Sequence, residues 1–293
     1  MRWLAIINPH ADHHTHAQLD ALAQELSRDI GADCVWSSSA SQTHQLAHHA
    51  KGYDGVIAVG GDGTISEIVN GLDESVSHIG FIPTGTGNGL AGDLALRDER
   101  SAIRALAHPH FKSLDLVSVR LHRRGSWQRR FLVSTSALGY VSGITELALG
   151  PLSWCKRGRY AVAAFFQAWR QNDFSARLRF DDGPWQQHIL TNLVVHNTQY
   201  AGQFRLFPAA HLDDGKLDVL LGRTRILGQL LEDLAIITKT FFFVRSSRIQ
   251  CQKVDVELAK PATFMFDGDL ISHVDAIQYQ VLPRRLCCCA GEG

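Results

Sequence analysis

Gly55-Val56-Ile57-Ala58-Val59-Gly60-Gly61-Asp62-Gly63-Thr64-Ile65-Ser66-Glu67-Ile68-Val69-Asn70-Gly71 is the stretch from which the fold can be read. Its first five residues form a short apolar run of strand length, and residues 64–72 turn to helical spacing. The glycines at the join let the backbone turn tightly and bring N–H groups close to a ligand. The helix start adds partial positive charge, and together these favour phosphate. Asp62 in such a loop repels phosphate unless it binds Mg²⁺ or a proton. Thr64 and Glu67 also fit a capping box, which competes with a nucleotide role for Glu67.

The same alternation extends on both sides. Strands are expected at 3–7, 34–36 and 78–82, with helices beginning after Thr15 and near 40, 88 and 98. This predicts a parallel sheet covered on both faces. From Leu114 onward the pattern becomes strand-rich: 114–121, 129–137, 175–181, 187–196, 216–222, 249–258, 262–266 and 276–282, interrupted by helical patterns at 158–171 and 225–243. The expected fold is an α/β N-terminal domain at 1–115 and a mostly antiparallel, β-rich domain at 116–282. The length of 293 residues fits two domains at about 150 residues each.

Three further segments carry polar chemistry. Pro83-Thr84-Gly85-Thr86-Gly87-Asn88-Gly89 again links a strand to a helix. Gly87, Gly89 and Gly92 satisfy the spacing of a dinucleotide fingerprint with Asp115 downstream, although the helix is short for that use. Phe266-Asp267-Gly268-Asp269 reads either as a hairpin turn or as a general base beside an apolar wall. His211-Leu212-Asp213-Asp214-Gly215-Lys216 reads as a turn or a hard-cation loop completed by carbonyls. A Walker A loop, a zincin motif and a nucleophile elbow are absent.

Composition narrows the classes. Hydrophobic residues make up 45% and charged residues 20%, an ordinary globular balance. Twenty-nine basic and 29 acidic residues leave no net charge, so general attraction to nucleic acid is not expected. No apolar run reaches the roughly 18 residues of a transmembrane span. A cytoplasmic, non-secreted chain with reduced cysteines is expected, and Cys287, Cys288 and Cys289 read as a frayed tail. The His13, His14 and His16 group reads as solvated.

Taken in order, the Gly60–Gly71 string, Thr86-Gly87-Asn88, the 211–216 loop and Asp267-Gly268-Asp269 resemble the lipid kinase family of bacterial diacylglycerol kinases and sphingosine kinases, from Asn8-Pro9 to Pro283. The resemblance implies ATP bound as its Mg²⁺ complex, with contacts from Asn8, Ser37, Gly60, Gly61, Asp62, Gly63, Thr64, Glu67, Thr86 and Asp269. It implies a sandwich-like second domain, with 283–293 packing back on the first, Asp267 as the base with Asp62 in the catalytic set, and a structural Mg²⁺ on Asp214 and the carbonyls of His211 and Lys216. The acceptor implied is a hydroxyl of a membrane lipid, met by peripheral association, and a homodimer is left open. The sequence departs from the family at His10-Ala11-Asp12 (usually Ser-Gly), at Asn88-Gly89 (Asn-Asp in many bacterial members) and at Asp269 (usually Glu).

Basic and aromatic residues that suit an anionic bilayer cluster at Arg120, Arg123, Arg124, Trp127, Arg129 and Arg130. Others lie at Trp154, Lys156, Arg157 and Arg159, and at Phe241–Phe243 with Arg245 and Arg248. A solvated hairpin and core-facing helices explain them equally well. Two other classes stay open: a soluble-substrate kinase of the NAD kinase type, similar through the Gly60–Gly63 loop, and a nucleotide-binding regulator without turnover.

Overall fold

The computed structural model describes residues 1–9, 14–73, 75–76, 78–85, 87–154, 159–170, 173–201, 204–205, 207, 210–223 and 247–291. Contacts divide the chain into two compact units. One is Met1–Leu116 with Thr198–Gly215 and Leu282–Gly293; the other is Val117–Asn197 with Lys216–Val281. The segment Thr198–Gly215, which the sequence pattern left in the second domain, thus packs with the first unit.

The first unit alternates strand and helix: β1 (Trp3–Ile7), α1 (His16–Glu25), β2 (Asp33–Trp36), α2 (Ala40–His48), β3 (Gly55–Gly60), α3 (Asp62–Gly71), β4 (His78–Pro83), α4 (Gly89–Asp93) and α5 (Glu99–Ala107). Thr15 and Gln18 form the capping box that starts α1. The strands are parallel in the order β2-β1-β3-β4. Every residue of β1 and β3 is buried, as a sheet covered on both faces requires. The order reverses at β1, which has β2 on one side and β3 on the other. In open parallel sheets, ligands bind beyond the carboxyl ends of the strands at such a switch point. Asn8, Ser37, Gly61 and Thr84 follow the ends of β1, β2, β3 and β4 in turn.

The second unit is β-rich. It contains most of β5 (His110–Arg123), then β6 (Ser126–Leu132), β7 (Thr135–Gly139), α6 (Tyr140–Leu149), α7 (Arg159–Arg170), β8 (Phe174–Phe180), β9 (Gln186–Leu190) and β10 (Asn192–His196). The chain passes through a short pair in the first unit, β11 (Tyr200–Ala201) and β12 (Phe204–Arg205). It then continues as β13 (Leu217–Gly222), β14 (Ser247–Cys251), β15 (Lys253–Phe266) and β16 (Asp269–Ala290).

Strand β15 serves two layers. Val254–Leu258 pair with β8, whereas Phe264–Phe266 pair with β7, and the register breaks between Glu257 and Phe264. Val117, Leu138, Leu178, Val219, Val256 and Phe264 meet in the core so formed. Strand β7 continues the sheet through β10, β13 and β14.

Several expectations are corrected. The expected strand 129–137 breaks at Val133–Ser134, whose N–H groups turn to the Asp267 carboxylate. The expected strand 187–196 divides at Thr191, because β9 pairs with β8 while β10 pairs with β7 and β13. Residues 140–149 are helical. The cysteine tail is not frayed: Cys287 and Cys288 pair in parallel with His78 and Ile79 of β4, and Cys288 and Cys289 are buried. Burial pushes the Cys289 thiol up to about 11, which keeps it protonated and inert. The expected helix at 225–243, Phe241–Phe243, Arg245, Lys156 and Arg157 lie outside the described residues, as do His13 and Thr86.

Candidate active site

Two constellations emerge, one in each unit. In the first, β3 runs into α3 through Gly61, whose extended backbone is the N-cap, so the helix starts at Asp62, two residues earlier than its periodicity suggests. The Thr64–Glu67 capping box therefore does not form. Among the described residues no side chain caps α3; the Thr64 N–H turns back to the Gly61 carbonyl at 3.0 Å, and the N–H groups of Asp62 and Gly63 are left for a ligand or water. Thr64 instead turns its hydroxyl to the neighbouring strand end, where Asn8 Nδ2 donates to Oγ1 at 3.0 Å. The Asn8 N–H also donates to the Val59 carbonyl at 3.0 Å, so Asn8 ties β1 to β3 at the switch point. Ser37 is buried beneath this edge, its hydroxyl donating to the Ile7 carbonyl at 3.3 Å. Glu67 lies a turn further along α3, its carboxylate 3.7 Å from His44 Nδ1 of α2.

Asp62 fastens the two glycine loops together. Its carboxylate accepts the N–H groups of Gly89 at 3.0 Å and Leu90 at 3.4 Å. Burial pushes this carboxyl above its ordinary range, opposed by backbone N–H groups of Gly89, Leu90 and Asn88. Beside it the loops touch backbone to backbone: a Cβ on Gly85 would lie 2.5 Å from Gly61 Cα and 3.0 Å from Gly61 N. Only glycine fits there.

The cradle suits a nucleotide's phosphates. It presents the open start of a ten-residue helix, glycines that permit close approach, and the hydroxyl of Thr84, which is 1% exposed yet has no partner among the described residues. Thr84 was legible only as part of its glycine motif; its burial is a property of the fold. Asp115 is not a ribose ligand. Buried at the start of the second loop's anchor, its carboxylate accepts the N–H groups of Gly215 at 2.6 Å and Arg284 at 2.8 Å, while its own N–H donates to the Leu212 carbonyl at 2.6 Å. It thereby shapes the 211–215 loop, in which His211 and Asp214 are exposed, as is Lys216 just beyond it. Among the described residues no group of three or more His, Cys, Asp or Glu side chains is placed to hold a metal.

In the second unit, Asp267 and Gly268 are the two central residues of the β15–β16 hairpin, with φ of +46° and +95°. Both lie in the left-handed region that such a tight turn demands. The hairpin reading and the functional reading therefore concern one structure. The turn aims the Asp267 carboxylate at the bend between β6 and β7, where it accepts N–H groups from Val133 (3.0 Å), Ser134 (2.8 Å) and Thr135 (3.1 Å). The Asp267 N–H returns a bond to the Thr135 carbonyl at 2.8 Å. Asp269, the next residue but one, is exposed.

Comparison with known proteins agrees with this layout. The family profile described as "Diacylglycerol kinase catalytic domain" matches residues 2–119. That of the "YegS C-terminal NAD kinase beta sandwich-like domain" matches residues 141–290. A protein of Chromohalobacter salexigens named "Probable lipid kinase YegS-like" is 29% identical over 251 residues, covering 81% of this chain and 76% of that protein. A diacylglycerol kinase of Staphylococcus saprophyticus is 27% identical, covering 76% of this chain and 70% of its own length. A crystal structure of a diacylglycerol kinase from Bacillus anthracis shares the fold at a TM-score of 0.77 and 20% identity, with 99% of this chain and 97% of that one superposed. With an α/β first unit, a β-rich second unit and both family profiles in succession along it, the chain belongs to the diacylglycerol kinase-type lipid kinase family and is a kinase.

Proposed function

We propose that this kinase transfers the γ-phosphoryl group of ATP to a hydroxyl of a membrane lipid such as diacylglycerol or a sphingoid base. The observation behind the donor half is the uncapped N-terminus of α3 at the switch point, with Thr64 and Asn8 bonded across it. ATP, bound as its Mg²⁺ complex, supplies the phosphoryl group. The first-turn amides of α3 and the Gly60–Gly63 backbone bind the phosphates, while Asp62 keeps the two loops at the spacing those contacts need. Asn8, Ser37 and Glu67 shape the same edge. Asp267 accepts the proton of the acceptor hydroxyl at one carboxylate oxygen: the O–H bond breaks, the hydroxyl oxygen bonds to the γ-phosphorus, the bond from that phosphorus to the β–γ bridging oxygen breaks, and ADP leaves. Phosphoryl transfer is catalysed mainly by positioning and charge stabilisation, so a site of backbone amides and one fixed carboxylate suffices. A structural Mg²⁺ on Asp214 with the carbonyls of His211 and Lys216 is a separate proposal, checked by whether Mg²⁺ raises Tm in the wild type and not in Asp214→Ala.

A face of the α6–α7 hairpin supports the lipid acceptor. Trp154 is 78% exposed, Trp169 65%, Phe165 53% and Phe166 51%. Phe166 also lines a groove of about 320 Å³ with Leu147, Pro151, Leu152 and Arg170. Exposed aromatic residues of this kind, most of them on a helix that begins at Arg159 and ends at Arg170, suit partial immersion in a bilayer with anionic headgroups. The β5–β6 hairpin is a weaker candidate, because Arg120 already stacks over Trp127 at 5.1 Å and Arg129 donates to Ser118 Oγ at 3.1 Å. Among the described residues no helix is long and apolar enough to cross a membrane.

The test is transfer of label from γ-labelled ATP to mixed micelles of diacylglycerol, monoacylglycerol, ceramide, sphingosine or phosphatidylglycerol, with NAD as a soluble acceptor. Labelled lipid is the expected product. Label on NAD alone, or on nothing, overturns the proposal.

A further inference from the structure

We infer that Thr135 and His196 are positioning residues that hold the Asp267 carboxylate in its working orientation. The inference rests on the reading of Asp267 as the base and goes beyond it. The carboxylate accepts the backbone amides of Val133, Ser134 and Thr135, so its direction follows the bend that carries them. Val133 and Ser134 belong to neither β6 nor β7, and regular ladder bonding does not hold them.

Strand β10 anchors them. The Thr135 hydroxyl is hydrogen-bonded to His196 Nδ1, and the Ser134 hydroxyl lies 3.3 Å from Thr135 Oγ1. His196 is the register partner of Thr135 across β7 and β10 and is fully buried. One residue further, the Asn197 N–H donates to the Ser134 carbonyl at 3.1 Å. The chain of contacts therefore runs from the end of β10, through the Thr135 hydroxyl and the Ser134 backbone, into the amides that grip Asp267.

Burial holds the imidazole of His196 far below its ordinary range, at about 3, so it stays neutral at working pH. A neutral ring offers a hydrogen bond of constant character, which suits a support and not a proton carrier. Its other register neighbour, Asp218, is paired with Arg248, whose Nε lies at 2.8 Å and Nη2 at 2.7 Å, and the Arg248 charge further disfavours a protonated ring. Displacing a catalytic group by about 1 Å is enough to cost on the order of 100-fold in rate, and supports of this sort typically matter by about 10–100-fold.

The experiment measures kcat, KM for ATP and Tm for the full chain with a micellar lipid acceptor, in Thr135→Val, Thr135→Ser, His196→Leu and His196→Asn. The expected result is a kcat at least about tenfold lower for Thr135→Val and His196→Leu, at unchanged KM for ATP, with Thr135→Ser and His196→Asn recovering most of the loss. Wild-type kcat in Thr135→Val, or a serine variant as impaired as the valine one, overturns the inference. An Asp267→Asn reference separates the two levels. If that variant keeps wild-type turnover, the base assignment itself has failed. If it is inactive while Thr135→Val is normal, only the positioning role has failed. In the Asp267→Asn background the Thr135→Val change should cost nothing more in residual kcat, and a full additional loss contradicts action through Asp267.

Discussion

Replacing Gly85 by alanine tests whether the two glycine loops work as one cradle. The new methyl carbon would stand 2.5 Å from Gly61 Cα, 3.0 Å from Gly61 N and 3.0 Å from Asn88 Oδ1. Two of these neighbours are backbone atoms that no rotamer change can clear. Restoring ordinary contact near 3.5 Å requires the loops to part by about 1 Å. That motion would stretch the Asp62 bonds to Gly89 and Leu90, now 3.0 and 3.4 Å, past the limit of a hydrogen bond. Overpacking costs about 1–3 kcal/mol, and each lost bond to a charged group adds about 1.5–3 kcal/mol if the shift is complete. Partial relaxation leaves an expected loss of about 2–4 kcal/mol in urea unfolding, with ATP affinity at least tenfold weaker. Gly61→Ala, whose methyl meets Gly85 Cα at 3.3 Å, should cost less. Gly63→Ala is the control: nothing lies within 4 Å, and the residue is inside α3. Its stability should be unchanged or up to about 1 kcal/mol higher. Equal stability for Gly85→Ala and Gly63→Ala would refute the backbone-to-backbone contact.

Three further outcomes follow from the same geometry. Thr64→Val removes the acceptor for Asn8 Nδ2 and should raise the KM for ATP about five- to tenfold; Thr64→Ser should not, and a valine variant with wild-type KM counts against the switch-point bond. His196 has its native value lowered to about 3 by burial, helped by the Arg248 charge, against about 6.5 in the unfolded chain. Its contribution is therefore complete above pH 6.5 and lost as the pH falls toward 3, which amounts to about 2 kcal/mol between pH 6.5 and 4.5. His196→Asn should lose that much less on acidification in urea melts, and parallel losses would contradict it. Trp169→Ala with Phe165→Ala should weaken sedimentation with anionic vesicles about tenfold at unchanged KM for ATP, since both side chains are exposed; undiminished binding removes α7 as the membrane face.

Local pattern revealed elements wherever backbone chemistry is punctuated by glycine. Gly60–Gly63 marks a real strand-to-helix turn, and Asp267-Gly268 a real two-residue hairpin. Sequence failed where tertiary partners decide. The helix at 140–149 contains Gly143 and several β-branched residues, a poor helical signature on its own. The glycine is there because Gln167 of α7 packs against it, at 2.2 Å from where a Cβ would be. The breaks at Thr191 and at Val133–Ser134 reflect which strand each half pairs with, and no local residue announces that. The cysteine tail read as frayed because its neighbour, β4, lies about 200 residues earlier in the chain. For the site, residue types and spacing named Asp62, Thr64 and Asp267, and the family resemblance added Asn8. They could not show that Asp62 is a staple, that Thr64 is bonded to Asn8, or that a histidine 71 residues before Asp267 supports its clamp.

The role of Asp267 as acceptor of the hydroxyl proton is best examined by single-turnover transfer of label from ATP to a micellar lipid in Asp267→Asn, with ATP affinity measured alongside. The asparagine keeps the turn and a side-chain oxygen for the 133–135 amides but cannot take up a proton. Turnover lower by about 10²–10⁴ with ATP affinity within twofold is the expected result. A near-normal rate in a variant that binds ATP normally would contradict it.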